Sequence, residues 1–272
     1  MNKKEIIVEK NKKLVTFLQD FGFSFADVNK MLRAKDVKVN GRSEKNNIML
    51  SEGDVVTFFY SDQMLGKKFE TVFESDNVLI VYKKAGIETA GANGLEGAIS
   101  NVIAVHRLDR NTEGLVVFAK NEQTAEKLLS AFKNKMVQKF YLTEVVGDFD
   151  CKNMLFEAFL TKNSKDSFVK ISDKPLLGSV KIQTKIDTLK HGSQSSVLKV
   201  ELLTGKTHQI RAHLAFLGHP IIGDGKYGKN EDNKKFGQPH QVLACYKIAF
   251  DNVGIDEING KTFERYPAWW NF

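Results

Sequence analysis

His106-Arg107-Leu108-Asp109-Arg110-Asn111-Thr112-Glu113-Gly114 is the densest polar cluster in the chain, and it runs directly into Leu115-Val116-Val117-Phe118-Ala119. A short apolar run behind a turn-rich segment reads as a buried strand. A loop feeding such a strand fixes a side chain on the scaffold while leaving it open to a substrate. Asp109, between Arg107 and Arg110, would keep its negative charge through those cations, and a positioned carboxylate serves as nucleophile or base. A purely structural ion-pair loop has the same composition.

From Gly66 onward, strand-like runs cover 77–82, 114–119, 140–146, 195–203 and 242–250, and the few helices are chiefly 123–133 and 207–217. Asn121 suits the N-cap of the first helix and Gly218 the end of the second. Strands with occasional helices predict an α+β fold rather than a doubly wound sheet.

The second helix carries another polar cluster, Leu203-Thr204-Gly205-Lys206-Thr207-His208-Gln209-Ile210-Arg211-Ala212-His213-Leu214. Helical spacing buries Ile210, Leu214 and Leu217 and leaves His208 and Arg211, three apart, on a common side. Gly205-Lys206-Thr207 is no phosphate loop, because the upstream glycine position, 200, is Val. His208 and His213 are five apart, too splayed to share an ion, and neither belongs to a His-Glu-x-x-His pattern. No metal is predicted.

A length of 272 residues predicts nearly two domains. The first, residues 1–62, combines two helical stripes (Leu14, Phe17, Leu18, Phe21 and then Val28, Met31, Leu32, after a break at Gly22-Phe23-Ser24) with two strand-like pieces. These are Val37-Lys38-Val39, ahead of a tight Asn40-Gly41 turn, and Val55-Val56-Thr57-Phe58-Phe59. Lys30, Arg33, Lys35, Lys38, Arg42 and Lys45 crowd residues 28–48 against only Asp36 and Glu44. They are either a solvated face or a surface that tracks phosphates.

The chain's net charge of +7 favours a polyanionic partner. A charged fraction of 27% with 42% hydrophobic residues excludes wholesale disorder. No apolar run approaches the roughly 20 residues of a membrane span, and Met1-Asn2-Lys3-Lys4-Glu5 leads into no signal-peptide stretch. Two cysteines, Cys151 and Cys245, make no disulfide framework. A cytoplasmic protein without a membrane partner is expected.

Val28-Asn29-Lys30-Met31-Leu32-Arg33, Val37-Lys38-Val39-Asn40-Gly41 and Gly53-Asp54-Val55-Val56 resemble the S4 domain, a small RNA-binding module. The resemblance implies RNA contacts by Lys30, Arg33, Lys35, Lys38 and Arg42.

The remainder, residues 67–272, resembles the RluA-type pseudouridine synthases. The matching segments are His106-Arg107-Leu108-Asp109 with Thr112 and Gly114, Lys139-Phe140-Tyr141 with Val146-Gly147, Leu203 to Arg211, and Gly218-His219-Pro220-Ile221-Ile222-Gly223-Asp224 with Tyr227-Gly228. It implies a catalytic domain on a mixed, largely antiparallel sheet that isomerises uridine to pseudouridine without a cofactor. Asp109 would be the catalytic aspartate, paired with Arg211, and Tyr141 would stack on the target base near C5. Arg107 would help hold the duplex open, and Lys83, in Lys83-Lys84-Ala85-Gly86, and His208 would join it in binding substrate. Lys84, Glu113 and Ala244 depart from the residues usual in that family. The implied partner is RNA, ribosomal before transfer RNA, and the chain is expected to act as a monomer. Two other classes fit parts of the pattern. One is a non-catalytic RNA-binding protein on the same fold, and the other is a glycosidase-like hydrolase with Glu113 as second carboxylate.

Overall fold

Residues 115–119 are completely buried, and so is the whole strand Val78–Lys83 that pairs with them antiparallel. Both run through the interior of one sheet, which is why neither shows a polar alternation. The computed structural model describes residues 2–21, 23, 25–60, 69–91, 94–162 and 168–270. Two units emerge, Met1–Glu70 with Ile87–Ser100, and Thr71–Gly86 with Asn101–Phe272. The expected junction at 62–67 lies outside the described residues, as do Gly22 and Ser24.

In the larger unit the sheet runs, from one edge, Val169–Ser172, Met154–Lys162, Val180–Lys190, Ser195–Leu202, Val137–Val146, Leu243–Phe250, Glu113–Ala119, Val78–Lys83 and Phe69–Glu74. One pairing is parallel, Glu113–Ala119 beside Leu243–Phe250, and its neighbours in the sheet are antiparallel. The mixed, largely antiparallel sheet that the resemblance implies is present. Helix Glu122–Lys133 packs Ala125, Leu128 and Ala131 inward, and the Asn121 side chain accepts from the Thr124 N–H at 2.9 Å as its N-cap.

Two neighbouring strands, of which Val180–Lys190 lines the site through Gln183, carry no clear apolar signal in the sequence. Val180–Lys190 buries Ile182, Thr184 and Ile186 and turns Lys181 and Lys185 outward. Met154–Lys162 is half-exposed along much of its length. Their apolar positions are diluted by charge on the solvent face, so neither stands out as an apolar run.

The smaller unit contains a sheet ordered Asn2–Ile7, Val55–Tyr60, Val37–Val39, Arg42–Ser43, antiparallel throughout. Its first strand was also unforeseen. Helices Leu14–Asp20 and Phe25–Ala34 contribute Phe17, Leu18, Val28 and Met31 to a core shared with Phe21, Phe23, Phe58 and Tyr60. Phe58 makes edge contacts to Phe21 and Phe23 at 5.1 and 5.7 Å. Asn40 and Gly41 both take positive φ, as a two-residue hairpin turn of the right twist requires. Lys30, Arg33, Lys35 and Arg42 are exposed and Lys38 is half-buried. Among the described residues no helix is long and apolar enough to cross a membrane.

Candidate active site

Asp109 sits on a turn closed by the Thr112 N–H on its own carbonyl at 3.0 Å. Buried Leu108 anchors the turn on one side. On the other, Gln241 donates to the Thr112 hydroxyl at 2.7 Å within the core. Lys83 holds the same turn from beneath. Its fully buried ammonium donates to the carbonyls of Lys84 and Arg110, both at 3.0 Å, and the Gly86 N–H reaches that Arg110 carbonyl at 2.9 Å. Lys83 is not among the residues lining the cavity, and it supports the site through this turn.

Arg211, 102 positions later in the chain, reaches Asp109 with Nη1 at 2.9 Å. Its Nε and Nη2 meet the two oxygens of Asp224 at 2.8 and 2.9 Å in a bidentate fork. Asp224 is completely buried and accepts as well from the Lys226 and Tyr227 N–H groups. Burial would raise its pKa, but Arg211 and those N–H groups outweigh burial and lower it. Burial likewise works against the charge on Arg211, and the Asp224 and Asp109 carboxylates more than restore it. Asp224 thus fixes the guanidinium, leaving one N–H edge for Asp109.

The helix expected from Thr207 begins two residues later, at Gln209, because His208 adopts a left-handed conformation with φ 53°. A non-glycine residue pays for that geometry with local strain. Here it brings the ring between Asp109 and Tyr227. The Tyr227 oxygen accepts from the Val169 N–H at 3.0 Å and lies 2.9 Å from His208 Nδ1. Burial, more than the neighbouring cations, lowers the His208 pKa against the pull of Asp109, so the ring is neutral near pH 7. In the tautomer where the Tyr227 hydroxyl donates to Nδ1, the ring proton is on Nε2, which lies 3.8 Å from Asp109 Oδ1. That separation with a neutral ring is no ion pair.

Tyr141 enters from the strand Val137–Val146 and is 5% exposed. Phe140 pairs with Lys247 and Tyr141 with Cys245, so Tyr246 is an extra residue that bulges the partner strand beside the site. Burial, and after it the Cys245 thiol, push the Tyr141 hydroxyl well above its ordinary pKa. On the far side of Cys245, Gly114 has φ +123°, and a Cβ there would fall 2.3 Å from the Cys245 carbonyl oxygen. Only glycine lets these strands approach so closely, and Asp109 and Tyr141 both depend on that junction.

Asp109, Tyr141, Arg211, His208 and Arg107 line one cavity of about 790 Å³, with Arg107 exposed. Glu113 does not line it, and its carboxylate accepts from Trp269 Nε1 at 2.6 Å. The paired-carboxylate arrangement of a hydrolase is therefore not formed by Glu113. His213 is a core residue, bonded to the Thr184 hydroxyl at 3.0 Å and lowered by burial to about 4. Asp224 and Tyr227 were visible only as members of a matched segment. The Gly223-Asp224-Gly225 turn, with an acid between two glycines, was the available signal.

A carboxylate bonded to an anchored guanidinium, in a cavity ringed by Lys and Arg, equips an enzyme to act on an anionic polymer. The chain belongs to the RNA pseudouridylate synthase family, whose sequence pattern matches residues 77–216. It is 32% identical over 255 residues to the ribosomal large subunit pseudouridine synthase C of Vibrio cholerae serotype O1, covering 82% of this chain and 79% of that one. The protein of the same name from Rickettsia bellii is 30% identical over 280 residues, covering 90% of each. Among solved structures, human RNA pseudouridylate synthase domain containing 4 superposes with a TM-score of 0.62 at 18% identity, over 74% of this chain and 89% of that one. Human RNA pseudouridylate synthase domain containing 1 gives 0.59 at 23% identity, over 68% and 79%. These two share the fold.

Proposed function

We propose that this RNA pseudouridine synthase modifies uridines of large-subunit ribosomal RNA, with Asp109 as its catalytic carboxylate. The observation that carries the site assignment is the Arg211 guanidinium, clamped by buried Asp224 and extended to Asp109 at 2.9 Å. The names of the relatives from Vibrio cholerae and Rickettsia bellii support the choice of RNA. Transfer RNA is the second candidate.

Isomerisation requires the uridine to leave its stack, the N1–C1′ bond to break and the ring to rejoin through C5. Asp109 attacks C1′ or C6, or removes a ribose proton. Arg211 orients the carboxylate for each of these routes. Tyr141 lies against the base, and its hydroxyl, held protonated by burial, is a donor rather than a resting base. Exposed Arg107 occupies the space the base vacates in the duplex. Lys83 acts by holding the Asp109 turn, and His208 presents Nε2–H to the carboxylate or to substrate.

The smaller unit serves as an S4-like RNA-binding domain spanning residues 1–62 ahead of a catalytic domain over 67–272. Lys30, Arg33, Lys35, Lys38 and Arg42 supply its phosphate contacts. The chain works as a cytoplasmic monomer. Mapping pseudouridines in total RNA from a strain lacking the protein tests the reading. One or more large-subunit sites should revert to uridine, and losses confined to transfer RNA would overturn the ribosomal assignment.

A further inference from the structure

The Asp109–Arg211 pair occupies one end of a cavity whose volume, about 790 Å³, exceeds what a single nucleoside fills. Residues two apart on a strand share a face, so Lys139 enters the same cavity as Tyr141, one strand step further along. Its ammonium lies 5.4 Å from the centre of the Phe132 ring. A Cβ at Gly205 would stand 3.3 Å from the Lys139 nitrogen, so the bare glycine leaves the ammonium its place. His106 closes this wall, its ring 4.6 Å from that of Phe132 and its Nε2 accepting from the Val117 N–H. Burial first, and the Lys139 charge second, lower His106 to about 3, so His106 adds no charge near neutral pH.

Among the described residues, the Lys139 ammonium has neither an ion pair nor a hydrogen bond. Withdrawing an ammonium from water without a counter-ion is costly, and burial lowers the Lys139 pKa accordingly. A ligand that brings the missing anion offsets that cost. Lys133, Lys135 and Lys206 stand exposed around the same cavity, and its only acidic lining residues among those described are Asp109 and Glu201. On an RNA strand whose target base lies against Tyr141, the anion one step away is a backbone phosphate.

We propose that the Phe132–Lys139–Gly205 end of the cavity is a subsite for the phosphodiester adjoining the target uridine, with half-buried Lys139 as its cation. It rests on the reading that the Asp109–Tyr141 end receives that uridine. Lys139 is a binding residue here and not part of the bond-breaking machinery.

Binding of a labelled oligouridylate across a salt series, by fluorescence anisotropy, tests this with wild type, Lys139→Met and Lys139→Arg. Loss of one phosphate contact should make the slope of log K against log salt shallower by about 0.7 in Lys139→Met, and Lys139→Arg should keep it. Lys139→Met should also melt at a higher temperature, because a half-buried charge without a counter-ion has gone. A Lys139→Met slope equal to wild type overturns the subsite. If that equal slope came with a slower single-turnover rate, Lys139 would belong to the base. If it came with a lower melting temperature, Lys139 would belong to packing. If wild type itself bound oligouridylate without salt dependence, the reading of the cavity as an RNA site would fall, and the subsite with it.

Discussion

Arg211 holds Asp109 by one hydrogen bond of 2.9 Å, from Nη1 to Oδ2, and nothing else in that guanidinium depends on Asp109 for its place. An amide at position 109 can still accept from Nη1, while Asp224 keeps the arginine charged and fixed. Asp109→Asn should therefore stay folded and bind RNA with near-wild-type affinity, yet form no pseudouridine, since an amide neither attacks C1′ nor accepts a ribose proton. Tritium release or mass spectrometry of the RNA measures this. Turnover within about tenfold of wild type, less than the 10²–10⁴-fold that a lost general base commonly costs, would rule out the assignment.

Asp224 should behave differently. It is completely buried and holds Arg211 through two hydrogen bonds, so Asp224→Asn removes the buried counter-charge and leaves the guanidinium only its single bond to partly exposed Asp109. Removing one partner of a buried ion pair destabilises by about 3–5 kcal/mol. Chemical denaturation should show a loss of that order together with lost activity, whereas Asp109→Asn should lose activity alone. Equal stability of the two variants would count against Asp224 as the anchor of the site.

Tyr141 separates two tasks. Its ring can stack on the displaced uracil, worth about 1–3 kcal/mol per base. Its hydroxyl can serve proton transfer at C5 after the new C–C bond forms. Tyr141→Phe keeps the ring, so RNA affinity should survive while single-turnover rate falls sharply. Tyr141→Ala should lose both. A Phe variant equal to wild type in affinity and rate would eliminate the hydroxyl role.

The polar clusters holding Asp109 and Arg211 were legible from composition and spacing, but their pairing was implied only by the resemblance to the RluA-type synthases. What holds the pair was less legible. Asp224 acts through a fork invisible to any local pattern, and the expected cations beside Asp109 in sequence turn elsewhere in part: Arg110 Nε donates to the Gly86 carbonyl. The left-handed His208 cost the helix its first two expected residues, because a strained backbone at a site contradicts the local preference that predicts elements. The strand Val180–Lys190 escaped notice since only alternate positions are apolar, whereas residues 115–119, buried on both faces, announced themselves.

Acid should loosen the larger unit before its carboxylates titrate. His213 is lowered by burial from 6.5 to about 4, and His106 by burial and Lys139 to about 3. Their folded-state pKa values lie below the unfolded ones, so the stability they contribute is full above pH 6.5 and drains away as pH falls towards about 4 and 3, where the unfolded chain binds the extra protons. Exposed His191, raised mainly by its hydrogen bond to Asp148, works in the opposite direction. Melting temperature should decline between pH 6.5 and about 4. His213→Asn, which keeps a polar contact towards Thr184, should flatten that decline even if its melting temperature at neutral pH is lower. An unchanged slope would show that His213 is not a source of the acid sensitivity.

The basic residues of the smaller unit make the last test, because they decide whether it contacts RNA at all. Lys30, Arg33, Lys35 and Arg42 are exposed, and Lys38 is half-buried with its ammonium 5.8 Å from the Phe59 ring. None of the four exposed side chains contributes to the core built around Phe17, Phe58 and Met31, so replacing Lys30, Arg33, Lys35 and Arg42 together by Gln should leave the melting temperature nearly unchanged. If they meet phosphates, each lost contact removes about 0.7–0.9 from the slope of log K against log salt. The fourfold variant should therefore bind ribosomal RNA more weakly at low salt and converge on wild type as salt rises. Its single-turnover rate at saturating RNA should stay near that of wild type, since Asp109, Tyr141 and Arg211 are untouched. A salt slope identical to wild type would reduce these lysines and arginines to a solubilising face and remove the RNA-binding role of the unit.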